Sequence, residues 1–208
     1  MYKHFFKRFI DICVGLVGTL VFFISFIFVA PLIFITDRGP VFYNAERRGK
    51  NGKKFKMYKY RSMKVNAPDL KNADGSTYSG DDDPRVTKIG KIMRKTSVDE
   101  LPQFINVLKG DMSVIGPRPT LAKRDINMDE LDENRKKRYM VRPGITGYSQ
   151  AYFRNSITQD EKFSNDAYYA DNVSFVFDVK IFFKTIASVL ARKNINVSES
   201  QNTNVEVR

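Results

Sequence analysis

The chain has 208 residues, enough for one domain with a buried core, and it carries one Cys, one His and no Trp. Those counts exclude an internal disulfide and a Cys/His zinc site, and the lone His4 argues against a Ser-His-Asp triad. The net charge of +12 points to an anionic partner: nucleic acid, an acidic membrane surface or a phosphorylated substrate.

Residues 1–11 mix Lys3, Lys7 and Arg8 with aromatic side chains, and residues 12–36 carry no charge. At ~1.5 Å per residue this run is long enough for a ~30 Å hydrocarbon core. It is too long for the roughly 7–15 residue apolar stretch of a signal peptide, and Val29-Ala30-Pro31 makes a poor cleavage site. Both flanks are basic, with Lys3, Lys7 and Arg8 before and Arg38, Arg47, Arg48, Lys50 and Lys53 after. Positive flanks prefer the cytoplasmic side, so a helix that enters, bends and returns satisfies both; a single span is the alternative. Ser25 and Pro31 are the expected bend points, since Pro removes a helical hydrogen bond. Residues 1–36 are therefore assigned to the membrane, 37–193 to one compact domain and 194–208 to a polar, disordered tail. The single Cys13 lies in the apolar run and fits a reducing compartment.

Asp37-Arg38-Gly39-Pro40 reads as a turn and residues 41–43 as a short strand. Residues 47–54 form a basic hairpin turn around Asn51-Gly52. Residues 55–63 alternate as a strand, placing Lys59 and Arg61 on one face, by spacing an ordinary solvated one. Residues 64–84 read as a polar loop ending in a mobile acidic stretch, because adjacent carboxylates at 81–83 diverge and match no EF-hand. Residues 86–95 form a basic amphipathic helix.

A second helix starts at Ser97, where Ser97-x-x-Glu100 matches a capping box, and Gly110 ends it. On that reading Asp99 and Glu100 simply offset the helix dipole. Their surroundings suggest more. Arg85, Lys88, Lys91, Arg94 and Lys95 precede them, and Gly116-Pro117-Arg118-Pro119 follows, with two prolines fixing Arg118 as a phosphate clamp needs. Residues 123–138 are a charged segment expected to be an exposed helix, and Arg142 and Arg154 add to the cations. Asp166 falls on a further helix. The helix over 177–192 either lies in the membrane interface or packs on the core. No repeat or linker divides the chain.

The motifs KRFIDI, GPVFYNAERRGKNGKKFKMYKYRSM, DPRVTKIGKIMRKTSVDELPQFINVLKGDMSVIGPRP, RPGITGYSQAYFRN and DAYYADNVSFVFDVKIFFKT, in this order, resemble the bacterial sugar transferases, or monotopic phosphoglycosyl transferases. The resemblance covers nearly the whole chain. It implies an α/β fold, mostly helical with a small β-hairpin or sheet. A re-entrant N-terminal helix, interfacial amphipathic helices and a catalytic domain on the cytoplasmic face of a bacterial plasma membrane complete the expected architecture. The implied reaction moves a sugar 1-phosphate from a UDP-sugar to undecaprenyl phosphate, releasing UMP. It needs Mg2+ and starts a capsule, exopolysaccharide, O-antigen or glycoprotein glycan, which downstream glycosyltransferases extend.

By the same resemblance Asp99 is the nucleophile, and Asp99 and Glu100 hold Mg2+. Lys59, Arg61, Arg94, Arg118, Arg142 and Arg154 contact phosphates, while Asp166 and Asp178 match acidic family positions. Anionic membrane lipid is a further expected partner. The sequence departs from the family where Ser25-Phe26 replaces a common Ser-Pro, and at Tyr148-Ser149-Gln150 and Ala151-Tyr152-Phe153. A non-catalytic membrane scaffold for polysaccharide assembly is the competing reading. Nucleic-acid binding is not expected, since no recognised module accompanies the charge.

Overall fold

The computed structural model describes residues 1–70, 78, 80, 82–122, 125–153 and 156–190. The first 36 residues form a π-helical turn at Tyr2–Phe6 and then one helix, α1 (Lys7–Thr36), continuous through Ser25 and Pro31. This helix is long and apolar enough to cross a membrane. One stripe of it is buried: Asp11, Gly15, Gly18, Phe22 and Ile33, at helical spacing. Elsewhere Leu16, Leu20, Phe23, Ile27, Phe28 and Phe34 are exposed, so most of its apolar surface faces away from the protein. The absence of a side chain at Gly18 admits the ring of Phe104, whose atoms would lie 2.4 Å from an added Cβ.

Two strands follow, β1 (Ala45–Arg48) and β2 (Lys54–Met57), antiparallel with Arg48 opposite Lys54. Their turn is the expected one: Asn51 and Gly52 take positive φ values of 57° and 70°, which Asn and Gly tolerate best. The expected strand over 55–63 is shorter. Regular pairing ends at Met57, and the chain stays extended, with Tyr43 N–H donating to Lys59 O and Arg61 N–H to Val41 O. The acidic stretch is not loose throughout. Asp83 is 1% exposed and takes three bonds from Arg85, from its backbone N–H, Nε and Nη2, so Arg85 is withdrawn from the expected phosphate cations.

Helix α2 (Lys88–Thr96) is capped by Thr87, whose hydroxyl accepts from Gly90 N–H. Gly90 sits where a Cβ would meet the Ser62 carbonyl at 2.0 Å, so α2 approaches that segment backbone to backbone. Ser97 does not cap a second helix. It takes a left-handed conformation at the end of α2 and makes no side-chain cap, and Val98–Glu100 is one 3-10 turn. The capping box fails because Glu100 is held by cations instead of reaching back. The second helix proper, α3 (Gln103–Lys109), ends at Gly110 with φ 87°, as expected.

Strand β3 (Ser113–Ile115) leads through the Pro-Arg-Pro turn to β4 (Thr120–Leu121), which pairs with β1. Beyond a 3-10 turn at Met128–Glu130 comes α4 (Glu133–Tyr139). The expected exposed helix over 123–138 is thus shorter, and its last Arg, Arg138, is buried. Strand β5 (Gly144–Thr146) runs parallel to β3. Helices α5 (Tyr148–Tyr152), α6 (Gln159–Asp171) and α7 (Phe175–Leu190) complete the described chain. The expected tail lies outside the described residues.

The fold is mostly helical with two small sheets. One core cluster, around Ile115, Tyr169 and Ile181, joins β3 to α6 and α7. A second, around Phe22, Ile33, Tyr60 and Met93, joins α1 to α2 and the extended segment. Burying each such side chain contributes about 1.5–3 kcal/mol. Helix α7 buries Ile181 but exposes Phe175, Val176, Phe182, Phe183 and Ile186, so its core-facing side and an apolar outer side coexist.

Candidate active site

The Val98–Glu100 turn is held against the extended segment by a bond from Tyr60 N–H to the Asp99 carbonyl, at 3.0 Å. That bond brings Lys59 to the acid pair although 40 residues separate them. Lys59 Nζ lies 2.8 Å from Asp99 Oδ2 and 3.4 Å from Glu100 Oε1. Asp99 is 2% exposed, and its Oδ2 has no hydrogen-bond partner of good geometry among the described residues. The pairing with Lys59 is therefore Coulombic by distance, not a directed hydrogen bond.

Glu100 is ordered from the other side. Arg118, on the Pro-Arg-Pro turn, donates from Nη2 to Glu100 Oε1 at 3.2 Å, while its side chain stays 58% exposed. Burial pushes the Glu100 carboxyl up, but Arg118 and Lys59 outweigh it and hold the pKa down at about 2. The charge of Glu100 in turn raises the Arg118 pKa. Glu100 is thus a permanent anion near neutral pH and does not exchange protons there.

Arg94, at the end of α2, donates from Nε to Ser62 Oγ. Burial lowers its pKa, against the opposing charges of Asp99 and Asp83. Arg47 on β1 was read from sequence only as part of a basic turn and flank. Its Nε is buried and unpartnered among the described residues. Burial, then the field of Arg118, lowers its pKa, and Tyr43 and Glu100 oppose this. Arg47 therefore belongs to the same electrostatic cluster. No sequence signal singles it out; the pairing of β1 with β4 beside the Pro-Arg-Pro turn places it there.

Other expected site residues go elsewhere. Arg61 is buried and bonds Asp37 through Nη1 and Nη2 and the Pro40 carbonyl through Nε, fastening the end of α1. Arg142 donates to the Gly110 carbonyl at 2.9 Å. Arg154 lies outside the described residues. Asp166 is 3% exposed and pairs with Arg138 at 3.0 Å and Ser149 at 3.1 Å; burial raises its pKa against the pull of Arg138. Asp178 takes Tyr2, Lys7 and Tyr169 at 2.6, 2.7 and 2.8 Å. Ser25 donates to the Phe22 carbonyl and meets the Tyr60 hydroxyl at 3.1 Å, and Pro31 sits inside α1. The departures at 148–153 place Tyr148, Tyr152 and Phe153 in an aromatic group with Tyr168 and Phe177.

Among the described residues no three His, Cys, Asp or Glu side chains gather as a metal cage. Two adjacent carboxylates still suit Mg2+, which commonly takes one or two carboxylates and fills its octahedron with substrate phosphate oxygens and water. The under-bonded Asp99 Oδ2 is consistent with that donor set. A cleft of about 440 Å3 between α4 and α6 is lined by Asp132, Glu133 and Asp160, the wrong charge for a pyrophosphate, and it contains no dyad residue.

The chain matches the model of the bacterial sugar transferase family over residues 2–192. It is 42% identical over 198 residues to a galactosyl transferase of Streptococcus agalactiae serotype III (strain NEM316), covering 91% of this chain and 43% of the relative. It is 40% identical over 192 residues to a UDP-N-acetylgalactosamine-undecaprenyl-phosphate N-acetylgalactosaminephosphotransferase of Aeromonas hydrophila, covering 89% and 44%. It is 41% identical over 194 residues to an exopolysaccharide production protein of Rhizobium leguminosarum bv. phaseoli, covering 89% and 96%. The chain thus spans less than half of the first two relatives and nearly all of the third. With the match running through the acid pair, its lysine and the Pro-Arg-Pro turn, the chain belongs to the bacterial sugar transferase family.

Proposed function

We propose that the protein transfers a sugar 1-phosphate from a UDP-sugar to undecaprenyl phosphate through a phosphosugar carried on Asp99. The observation that carries this reading is the buried, under-bonded carboxylate of Asp99 beside Lys59, in a chain whose relatives include an undecaprenyl-phosphate sugar phosphotransferase. An Asp99 oxygen forms a bond to the β-phosphorus of the donor. The bridging P–O bond breaks and its electron pair leaves with UMP. An oxygen of the lipid phosphate then attacks the same phosphorus, and the Asp99 carboxylate departs. Splitting the displacement in two lets one site serve a soluble and a lipid substrate in turn.

The obstacle is charge, since an anion must approach an anionic pyrophosphate. Lys59 partly neutralises Asp99, Arg118 is open to solvent beside the dyad, and Arg47 and Arg94 add positive field. Glu100 and Asp99 are the residues that would hold Mg2+, which when bound screens the phosphate oxygens. Glu100, ionised down to about pH 2, orients Lys59 and Arg118 and relays no proton.

Helix α1 supports a re-entrant insertion. Arg8 near its start caps α3 by donating to the Val107 and Leu108 carbonyls, and Lys7 pairs with Asp178. At its end Asp37 is fastened by Arg61 and by Val65 N–H. Both ends of this continuous helix are tied to one folded domain, which supports an insertion that enters and leaves on one face, with the catalytic domain on the cytoplasmic side of the plasma membrane. The exposed apolar face of α7 is then an interfacial surface.

The test is turnover of membrane fractions against a panel of UDP-sugars with undecaprenyl phosphate and Mg2+. UMP should appear in step with lipid-linked sugar. Release of UDP means direct glycosyl transfer and sinks the mechanism.

A further inference from the structure

Behind the Pro-Arg-Pro turn lies a second polar cluster that the acid pair does not touch. Arg138, the penultimate residue of α4, is 6% exposed. Its Nη2 donates to the Arg118 carbonyl at 2.8 Å and lies 3.0 Å from Asp166 Oδ2. A single NH2 group carries two protons, so one nitrogen serves both acceptors. Asp166, from α6, is fixed on its other oxygen by Ser149 of α5 at 3.1 Å. The guanidinium of Arg138 also lies over the Phe163 ring, 4.8 Å from its centroid. The next residue, Tyr139, meets the Thr120 hydroxyl at 2.9 Å on the far side of the turn. Two successive residues of α4 therefore hold the turn on either side of Pro119, Arg138 at the Arg118 carbonyl and Tyr139 at the Thr120 side chain. The space between them is a narrow cleft of about 10 Å3, bounded by Arg48, Pro117 and Pro143, room for about one water.

A buried arginine shared between a carboxylate and a backbone carbonyl costs desolvation and must be kept in place by its partners. Packing alone does not require its second bond to end on Arg118, whose side chain meets Glu100. We propose that Arg138, held by Asp166 and Ser149, is a positioning residue that fixes the Arg118 backbone so that its guanidinium meets the donor's phosphates beside the dyad. This rests on the reading of Arg118 as a phosphate ligand, and it gives Asp166 a role at one remove from substrate.

The experiment is a double-mutant cycle on the full chain in detergent. Binding of UDP, the part common to all UDP-sugars, is read by calorimetry with Mg2+, and melting temperature is recorded alongside. Arg118→Ala should weaken UDP by about 10–100-fold, the worth of a charged hydrogen bond. Arg138→Met should weaken it by about tenfold in the parent and by less than about twofold when Arg118 is already Ala. Losses that add in the double variant, or no loss with Arg138→Met, overturn the proposal. If Arg138→Met does not fold, Ser149→Ala and Asp166→Asn replace it in the same cycle. They keep the Arg138 bond to the carbonyl but loosen its anchor, and the same masking by Arg118→Ala is required. If Arg118→Ala leaves UDP affinity unchanged, the phosphate role of Arg118 fails first, and that outcome is distinct from a failure of the relay.

Discussion

Asp99 and Asp178 are both buried carboxylates, 2% and 5% exposed, each with a lysine ammonium within 2.8 Å. Asp178 takes three donors: Tyr2 and Lys7 reach one oxygen and the single Tyr169 hydroxyl proton the other, with the Ile115 carbonyl as that proton's alternative acceptor at 3.1 Å. Burial and the Asp178 charge push the Tyr169 pKa up, so that phenol stays a donor. Asp99 has the ion pair and little else, with Oδ2 lacking a directed bond among the described residues. The contrast separates a carboxylate that ties elements together from one with unused bonding capacity, as the proposed nucleophile requires. An acid that already holds three structural donors cannot become a nucleophile without breaking those bonds.

The largest expected effect breaks this comparison on the chemical side. Asp99→Asn should lower transfer by at least about 10³-fold, with stability within about 1 kcal/mol of the parent. Residual transfer near the parent level would return Asp99 to the class of Asp178. Next come the cations: Lys59→Met and Arg118→Ala should each cut kcat/KM by about 10–100-fold in steady-state UMP release. Arg61→Ala, by contrast, should cost about 2–4 kcal/mol of stability with turnover per folded molecule retained, because Arg61 holds Asp37.

On the structural side, Asp178→Asn should lose about 2–4 kcal/mol in denaturant unfolding and keep the activity of the folded fraction. Loss of turnover at full stability would show that the Asp178 site is chemical after all. The smallest effect is in acid. The pKa of Glu100 is depressed from 4.5 to about 2 in the fold, so its contribution to stability is complete above about pH 4.5 and is lost as pH falls through about 2. Unfolding midpoints measured from pH 5 to 3 should drop less in Glu100→Gln than in the parent.

Much of the site was legible because it rests on local chemistry. The Asn51-Gly52 turn, the Gly110 helix end and the rigid Pro-Arg-Pro turn follow from backbone preferences that act within a few residues. The family motifs pointed to Asp99, Glu100, Lys59 and Arg118, and the structure brings these four together. Arg61 was misplaced because alternation along a strand applies only while pairing is regular, and regular pairing stops at Met57. The capping box misled for a related reason. Ser97 had the right spacing, but α2 used it as a left-handed terminus, and Glu100 found two cations more favourable than a backbone N–H. Arg47 and Arg138 were invisible as site residues because each looked like one more charge in a basic run.

By itself the sequence determined that the run over 12–36 is uncharged and long enough to cross a membrane, that the net charge is +12, and that the 208 residues hold no internal disulfide, Cys/His zinc site or pair of histidines. Only the tertiary structure decided which cation each carboxylate meets. Lys59 reaches Asp99 across 40 residues, Arg118 reaches Glu100 across 18, and Lys7 reaches Asp178 across 171. Charge–charge energies depend on distance and burial, and neither is set until the elements pack.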